Sequence, residues 1–155
     1  MEPLEIEQAL LNSEFFKGLE PSDIQNIARI CHPRTYRAGE YVFQQGDFGE
    51  HLYIIIEGQV FLERAMNLGG RKGSVTLAAL GKGRVLGCWS TLLDEPHILM
   101  SSASCQRSSQ VLVLKGADLR NVMTRDTKLG FNLLERLCFL LRDRIQAAYG
   151  ALEKI

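Results

Sequence analysis

The sequence predicts a mainly β domain flanked by helices, and three observations predict it. The middle of the chain breaks into short β-branched and aromatic runs, single glycines separate those runs, and both ends show helical periodicity instead. A chain of 155 residues is long enough to bury one real core. Lys plus Arg and Asp plus Glu each number 18, so no net field draws the protein to nucleic acid or to an anionic membrane.

The elements follow in order. Ile6, Ala9 and Leu10 make a short apolar helical stripe before Asn12-Ser13, and Phe15-Phe16 then dock as anchors. Pro21-Ser22-Asp23-Ile24-Gln25 reads as a second helix start, with Ser22 as cap and Gln25 completing a capping box. Ile24, Ile27, Ala28 and Cys31 continue one face until Pro33 ends the helix. Strands are expected at Tyr41–Phe43, Leu52–Ile56, Gln59–Arg64, Val75–Leu80 and Val111–Leu114. Their close spacing suggests an all-β sandwich or barrel. Asn67 to Gly73 reads as a flexible hairpin tip, because it lacks the residue order of a phosphate loop.

The last third is helical again. Asp118 to Thr124 is expected as a short helix, and Asp126 or Thr127 caps a longer one. On that helix Leu134, Leu137, Cys138, Leu141, Ile145, Ala148 and Leu152 form one stripe, and Leu133 and Leu140 widen it to about half the circumference. Two readings stay open. Either both flanks touch the β body, or one packs there and the other meets a second copy in a homodimer. Phe139 falls in the polar face with Glu135, Arg142, Asp143 and Gln146, as a contact point or as an ordinary exposed aromatic.

Four cysteines lie far apart with no Cys-x-x-Cys pair, so reduced thiols are expected and no metal site. No apolar run approaches the ~20 residues of a spanning helix, and the acidic start is no signal peptide. The expectation is a cytoplasmic protein without a membrane partner.

Residues Tyr36 to Asp47, Leu52 to Val60 and Leu80 to Gly87, with Ala103 and the close at Val111–Leu114, resemble the cyclic-nucleotide-binding domain family of catabolite activator and kinase regulatory-subunit type. The resemblance implies a double-stranded β-helix, a β-roll of jelly-roll type, within a single domain over 1–155. Its N-terminal helices would fill 1–33, the roll 34–116 with a ligand cassette at 86–99, and the C-terminal helices 117–155. It also implies glycines at 39, 46, 58 and 87 where the chain turns tightly or another backbone comes close.

The same resemblance assigns a candidate site to Leu86, Gly87, Cys88, Trp89, Ser90, Thr91, His97, Ile98 and Leu99. In the family this cassette holds a cyclic phosphate and ribose with a helix start, a Glu and an Arg. Aligned from Gly87 through Pro96, Cys88 stands at the Glu position and His97 at the Arg position, followed by Ile98 and Leu99 in place of small or hydroxyl residues. Two lost contacts to charged groups cost on the order of 3–6 kcal/mol, which weakens binding roughly a hundredfold to ten-thousandfold. Backbone N–H groups near Ser90-Thr91 and Ile98-Leu99 would remain to cradle an anion. Cyclic nucleotide is thus a cofactor by resemblance alone, and ordinary cAMP or cGMP is expected to bind weakly or not at all.

Three alternatives accompany this reading. The substitutions could retune the pocket toward a small apolar or weakly acidic ligand. Trp89 and Cys88 could simply fill core. The fold could serve as a protein-interaction or dimerisation domain that senses nothing. A Cys88–His97 nucleophile pair lacks an orienting group and an oxyanion site, so no enzyme activity is expected. The resemblance places a helix-turn-helix after the long helix in transcription regulators. None follows within these residues, and Arg64, Arg71, Lys72, Lys82 and Arg84 read as a solvated basic rim, so direct DNA binding is not expected.

Overall fold

The computed structural model describes residues 1–87, 89–95 and 97–154, with the side chains of Leu68 and Thr91 left aside. Helix α1 (Pro3–Leu11) and helix α2 (Pro21–Ala28) come first. Strands β1 (Cys31–Tyr36), β2 (Tyr41–Phe43), β3 (His51–Glu57), β4 (Val60–Leu68), β5 (Arg71–Leu80) and β6 (Val85–Gly87) follow. A short helical turn (Trp89–Leu93) leads to β7 (Ser102–Cys105) and β8 (Ser109–Lys115), and helices α3 (Gly116–Arg125) and α4 (Thr127–Leu152) close the chain. The strands form two four-stranded antiparallel sheets, ordered β1-β8-β3-β6 and β2-β7-β4-β5. This is the expected β-roll with helices at both ends.

The hydrophobic residues divide between two cores. Tyr53 and Ile55 of β3, Val111 and Val113 of β8, and Leu86 of β6 point into the roll. Leu52, Ile54, Leu112, Leu114 and Val85 point the other way, onto Phe15, Ile24, Leu119 and the buried face of α4. The sheet β1-β8-β3-β6 is therefore covered on both faces. That is why Leu52–Ile56 and Val111–Leu114 read as unbroken apolar runs rather than as alternation.

Four local expectations need correction. Helix α2 starts one turn position early, with Glu20 as N-cap, Pro21 at the first position and no side-chain capping bond. A proline there has no N–H to satisfy and already holds a helical φ, so Ser22 lies exposed inside the first turn instead of capping it. The helix also stops at Ala28 rather than running to Pro33, because Cys31–Tyr36 pairs with β8 and begins the roll ahead of residue 34. Pro33 is tolerated because β1 is an edge strand. Finally, the hairpin tip expected over 67–73 is there but shorter, because β4 and β5 stay paired up to Leu68 and Arg71. Gly69 and Gly70 turn the hairpin alone at φ +59° and +91°, the pair of positive φ values a two-residue turn requires.

The two C-terminal helices match their predicted places, and Asp126 caps α4 by accepting from the Leu129 N–H at 3.2 Å. The wide stripe on α4 divides between two surroundings. Leu129, Leu133, Leu137 and Leu140 are buried against the body. Phe131, Leu134, Ile145, Tyr149 and Leu152 are exposed, as is the Cys138 thiol, while Arg142 lies over the Phe139 ring at 5.2 Å. Among the described residues no helix is long and apolar enough to cross a membrane.

Candidate functional site

The cassette begins where β6 ends. Gly87 sits at φ +130°, and a Cβ there would land on the His51 carbonyl oxygen and within 3.1 Å of the Leu52 Cα. Only glycine lets β6 and β3 approach this closely at this backbone angle. Cys88 and Pro96 lie outside the described residues, as does the side chain of Thr91. The expectation that Cys88 replaces a carboxylate is therefore carried by the sequence alone.

Beyond Gly87 the short turn Trp89–Leu93 faces the helical layer. The Trp89 ring stacks on Phe15 at 6.0 Å and 22°, and Phe15 in turn stacks on Phe16 at 4.8 Å. Leu92 is fully buried in the same core. Leu86, by contrast, points into the roll. Ser90 is half-buried, and its carbonyl accepts the Glu95 N–H at 3.4 Å. Asp94 then reverses the chain at φ +58°, a left-handed value that Asp tolerates better than most residues.

The trailing part runs beside the turn at 46–50. Phe48 and Ile98 form an isolated antiparallel bridge, flanked by Gly49 N–H to His97 O at 3.0 Å and Leu99 N–H to Asp47 O at 2.8 Å. Gly46 N–H adds a bond to Leu99 O at 2.9 Å. The Leu99 amide is thus committed to Asp47, which corrects the expectation that it could help cradle an anion. Leu99 itself is buried in the roll, Ile98 is exposed and His97 is half-buried. Sequence analysis grouped these side chains, but they face three directions.

A recess of about 140 Å³ opens between β2, the 46–50 turn and β3, with Phe43, Phe48, His51, Tyr53 and Leu99 among its walls. Small-molecule sites usually offer roughly 300–1,000 Å³. Burial pushes the His51 imidazole below its ordinary pKa, against the opposing pull of Glu50, and burial pushes the Tyr53 phenol up. Burial also drives the Cys31 thiol up to about 12, so it is no nucleophile. Among the described residues no cluster of His, Cys, Asp or Glu could hold a metal ion.

Arginines that sequence reasoning did not single out tie this region to its surroundings. Arg120 of α3 donates to the Leu92 carbonyl at 2.6 Å. Arg136 of α4 donates to the Phe15 and Lys17 carbonyls at 2.9 and 2.6 Å, directly behind the ring on which Trp89 stacks. Arg144 of α4 donates to the Val85 carbonyl and to Glu14, which also pairs with Arg84. Arg84 is thus an ion-pair partner and not merely part of a basic rim. No periodicity signals such bonds, because a carbonyl acceptor has no side-chain identity to read.

The family pattern for the cyclic nucleotide-binding domain matches residues 33–126, more than half of the chain. The chain belongs to this family. A cyclic AMP receptor protein of Thermus thermophilus is 34% identical over 131 residues, covering 84% of this chain and 58% of that protein. A CRP-like cAMP-activated global transcriptional regulator of Mycobacterium tuberculosis is 28% identical over 137 residues, covering 88% of this chain and 59% of the regulator. The chain therefore spans less than two thirds of the length of these relatives. The crystal structure of a cyclic nucleotide-binding domain from Methylobacillus flagellatus superposes with a TM-score of 0.79 over 99% of this chain and 84% of its own, at 21% identity. That likeness supports the fold. The receptor and the regulator that this member of the cyclic nucleotide-binding domain family matches are regulatory proteins.

Proposed function

We propose that this chain is a cytoplasmic regulatory module that senses a small ligand at the cassette and passes its occupancy to the C-terminal helices. The observation that carries the reading is the set of arginine–carbonyl bonds. Arg120 holds the end of the Trp89–Leu93 turn. Arg136 holds the backbone of the Phe15 against which Trp89 stacks. Arg144 holds the strand that feeds the cassette. A shift of the turn by even a fraction of an ångström must be answered by α3 and α4, because packed cores resist continuous deformation.

In this reading ordinary cAMP and cGMP bind weakly or not at all. His97 stands where the family's arginine would, and an imidazole lacks the permanent charge and the planar donor fork of a guanidinium. The recess between β2, the 46–50 turn and β3 is also small, at about 140 Å³. Calorimetry tests this: millimolar or absent binding of both nucleotides is expected, and micromolar or tighter affinity for either would sink it. The candidate ligand residues remain Leu86, Gly87, Cys88, Trp89, Ser90, Thr91, His97, Ile98 and Leu99.

The uncovered flank of α4 supports a homodimer. Phe131, Leu134, Cys138, Leu141, Ile145, Ala148 and Leu152 repeat at alternating spacings of three and four, the seam of a two-stranded coiled coil. Phe131, Leu134, Ile145 and Leu152 of that seam are exposed in a single chain, while Leu141 is half-buried against the core. The same observation favours the second reading, an interaction domain that uses α4 and ignores small ligands. Thermal shift across nucleotides and metabolites separates the two. A large shift abolished by His97→Ala favours sensing, and no shift across the panel favours the interaction domain.

A further inference from the structure

Between residues 86 and 101 the chain carries Asp94 and Glu95 but no lysine or arginine. The cassette therefore brings no permanent cation to an anionic ligand, yet two arginines reach it from elsewhere. Arg120 arrives from the helical side and donates to the Leu92 carbonyl. Arg64 arrives from the roll. In the β4–β7 ladder Leu62 stands opposite Ala103, and both are buried in the roll core. Arg64 follows Leu62 by two positions, across a register irregularity of the β4–β5 ladder between Leu62 and Glu63, and strand alternation assigns it to the face of Leu62. Its guanidinium is exposed and donates to the Met100 carbonyl, one residue beyond Leu99.

Further donors gather at the same place. Gln45 closes the ladder where β7 has ended, its Oε1 accepting the Ala65 N–H at 2.8 Å. The Gln45 N–H donates to the Ser102 Oγ at 2.8 Å, which leaves that hydroxyl its own hydrogen to donate. The carboxylate of Asp47, the nearest acid in the turn, accepts the Gln44 N–H at 3.2 Å. A guanidinium has five N–H donors, and among the described residues Arg64 commits one of them, to the Met100 carbonyl.

We propose that Arg64, assisted by Gln45 and Ser102, forms an anion subsite at the mouth of the roll that takes the phosphoryl group of a small organic phosphate. This rests on the sensing reading above and moves its charged contact from the cassette to β4. The planar fork of Arg64 suits a phosphoryl oxygen pair, and the exposed position lets it swing from Met100 to a ligand. A phosphoryl group held here need not belong to a cyclic diester, because the contact no longer depends on the cassette arginine.

The test is an amide NMR titration with cyclic AMP, adenosine 5′-monophosphate and inorganic phosphate, using adenosine as the phosphate-free control. The phosphate-bearing probes are expected to shift residues 45, 64–65 and 100–102, and adenosine is not. Arg64→Ala is expected to weaken each about tenfold or more, Arg64→Lys to retain part of the affinity, and Lys72→Ala, which removes an exposed cation elsewhere on the β4–β5 hairpin, to change it less than about twofold. Circular dichroism of Arg64→Ala checks that this exposed site leaves the fold intact. Unchanged affinity in Arg64→Ala, shifts confined to 86–97, or no response to any phosphate probe overturns the subsite. Affinity lost in His97→Ala but kept in Arg64→Ala overturns it while leaving the sensing reading standing. That reading itself fails only if a wider metabolite panel is also silent.

Discussion

Residues 85–93 and 97–102 are two halves of one cassette, held by different physics. In the leading half the side chains make the attachment: Val85, Leu86 and Leu92 are each about 1% exposed, and Trp89 stacks on Phe15. In the trailing half the backbone makes it, the Gly46 and Gly49 N–H groups donating to the Leu99 and His97 carbonyls and the Leu99 N–H to the Asp47 carbonyl, while Ile98 and Met100 are 53% and 63% exposed. A backbone ladder is indifferent to residue type, whereas a packed core is not. The leading half can therefore transmit strain to the helices but tolerates little change. Apart from the buried Leu99, the trailing half can exchange its exposed side chains, and so alter what it recognises, at little cost to the fold.

The sharpest test of this contrast is at the junction. Gly87→Ala forces a Cβ onto the His51 carbonyl at φ +130°, and a loss of about 3 kcal/mol or more is expected by denaturant unfolding. Leu92→Ala, in the leading half, is expected to cost about 2–4 kcal/mol in the same measurement, while Ile98→Ala, in the trailing half, stays within about 0.5 kcal/mol. Equal losses at 92 and 98 would erase the distinction. Arg120→Ala is expected to cost about 1–2 kcal/mol and to speed amide exchange across 89–93 more than across 97–102.

Two smaller effects sharpen the picture further. The exposed Cys138 thiol is expected to react with a maleimide long before Cys31, whose burial keeps it protonated, and mass spectrometry of the digest reads the order. Acidification probes His51 beside the trailing half. Its pKa is lowered in the folded state, so below about 6.5 the unfolded chain binds the proton more readily and stability falls as pH drops through the folded value. His51→Gln should flatten that slope slightly, and an unchanged unfolding profile between about pH 7 and 5 would remove His51 from the account.

Part of this architecture is legible in the chain and part is not. The anchors Phe15 and Phe16, the strands rich in β-branched residues, and the Asp126 cap are written in local composition. Strand β7, Ser-Ala-Ser-Cys, has no such signature, and it forms because β2 and β4 lie on either side of it. Pro33 reads as a helix stop, but the pairing of β1 with β8 has already ended the helix. At the site, the framing Gly87 and the odd residue His97 can be read directly. The bonds from Arg64, Arg120, Arg136 and Arg144 cannot, since each joins a side chain to a distant carbonyl.

The amino-acid sequence by itself determined a mainly β body with helices at both ends, its glycine turns and the absence of lysine and arginine between residues 86 and 101, while the roll and the place of the cassette were implied by the family resemblance. Those features depend on residue type at short spacing, through φ preference, β-branching and formal charge. Only the tertiary structure decided that Leu86, Trp89, Ile98 and Leu99 face different ways, that α4 buries one flank and exposes the other, and that Arg64 donates to the Met100 carbonyl. Those outcomes depend on which surfaces meet after the two sheets close, and no local pattern carries that information.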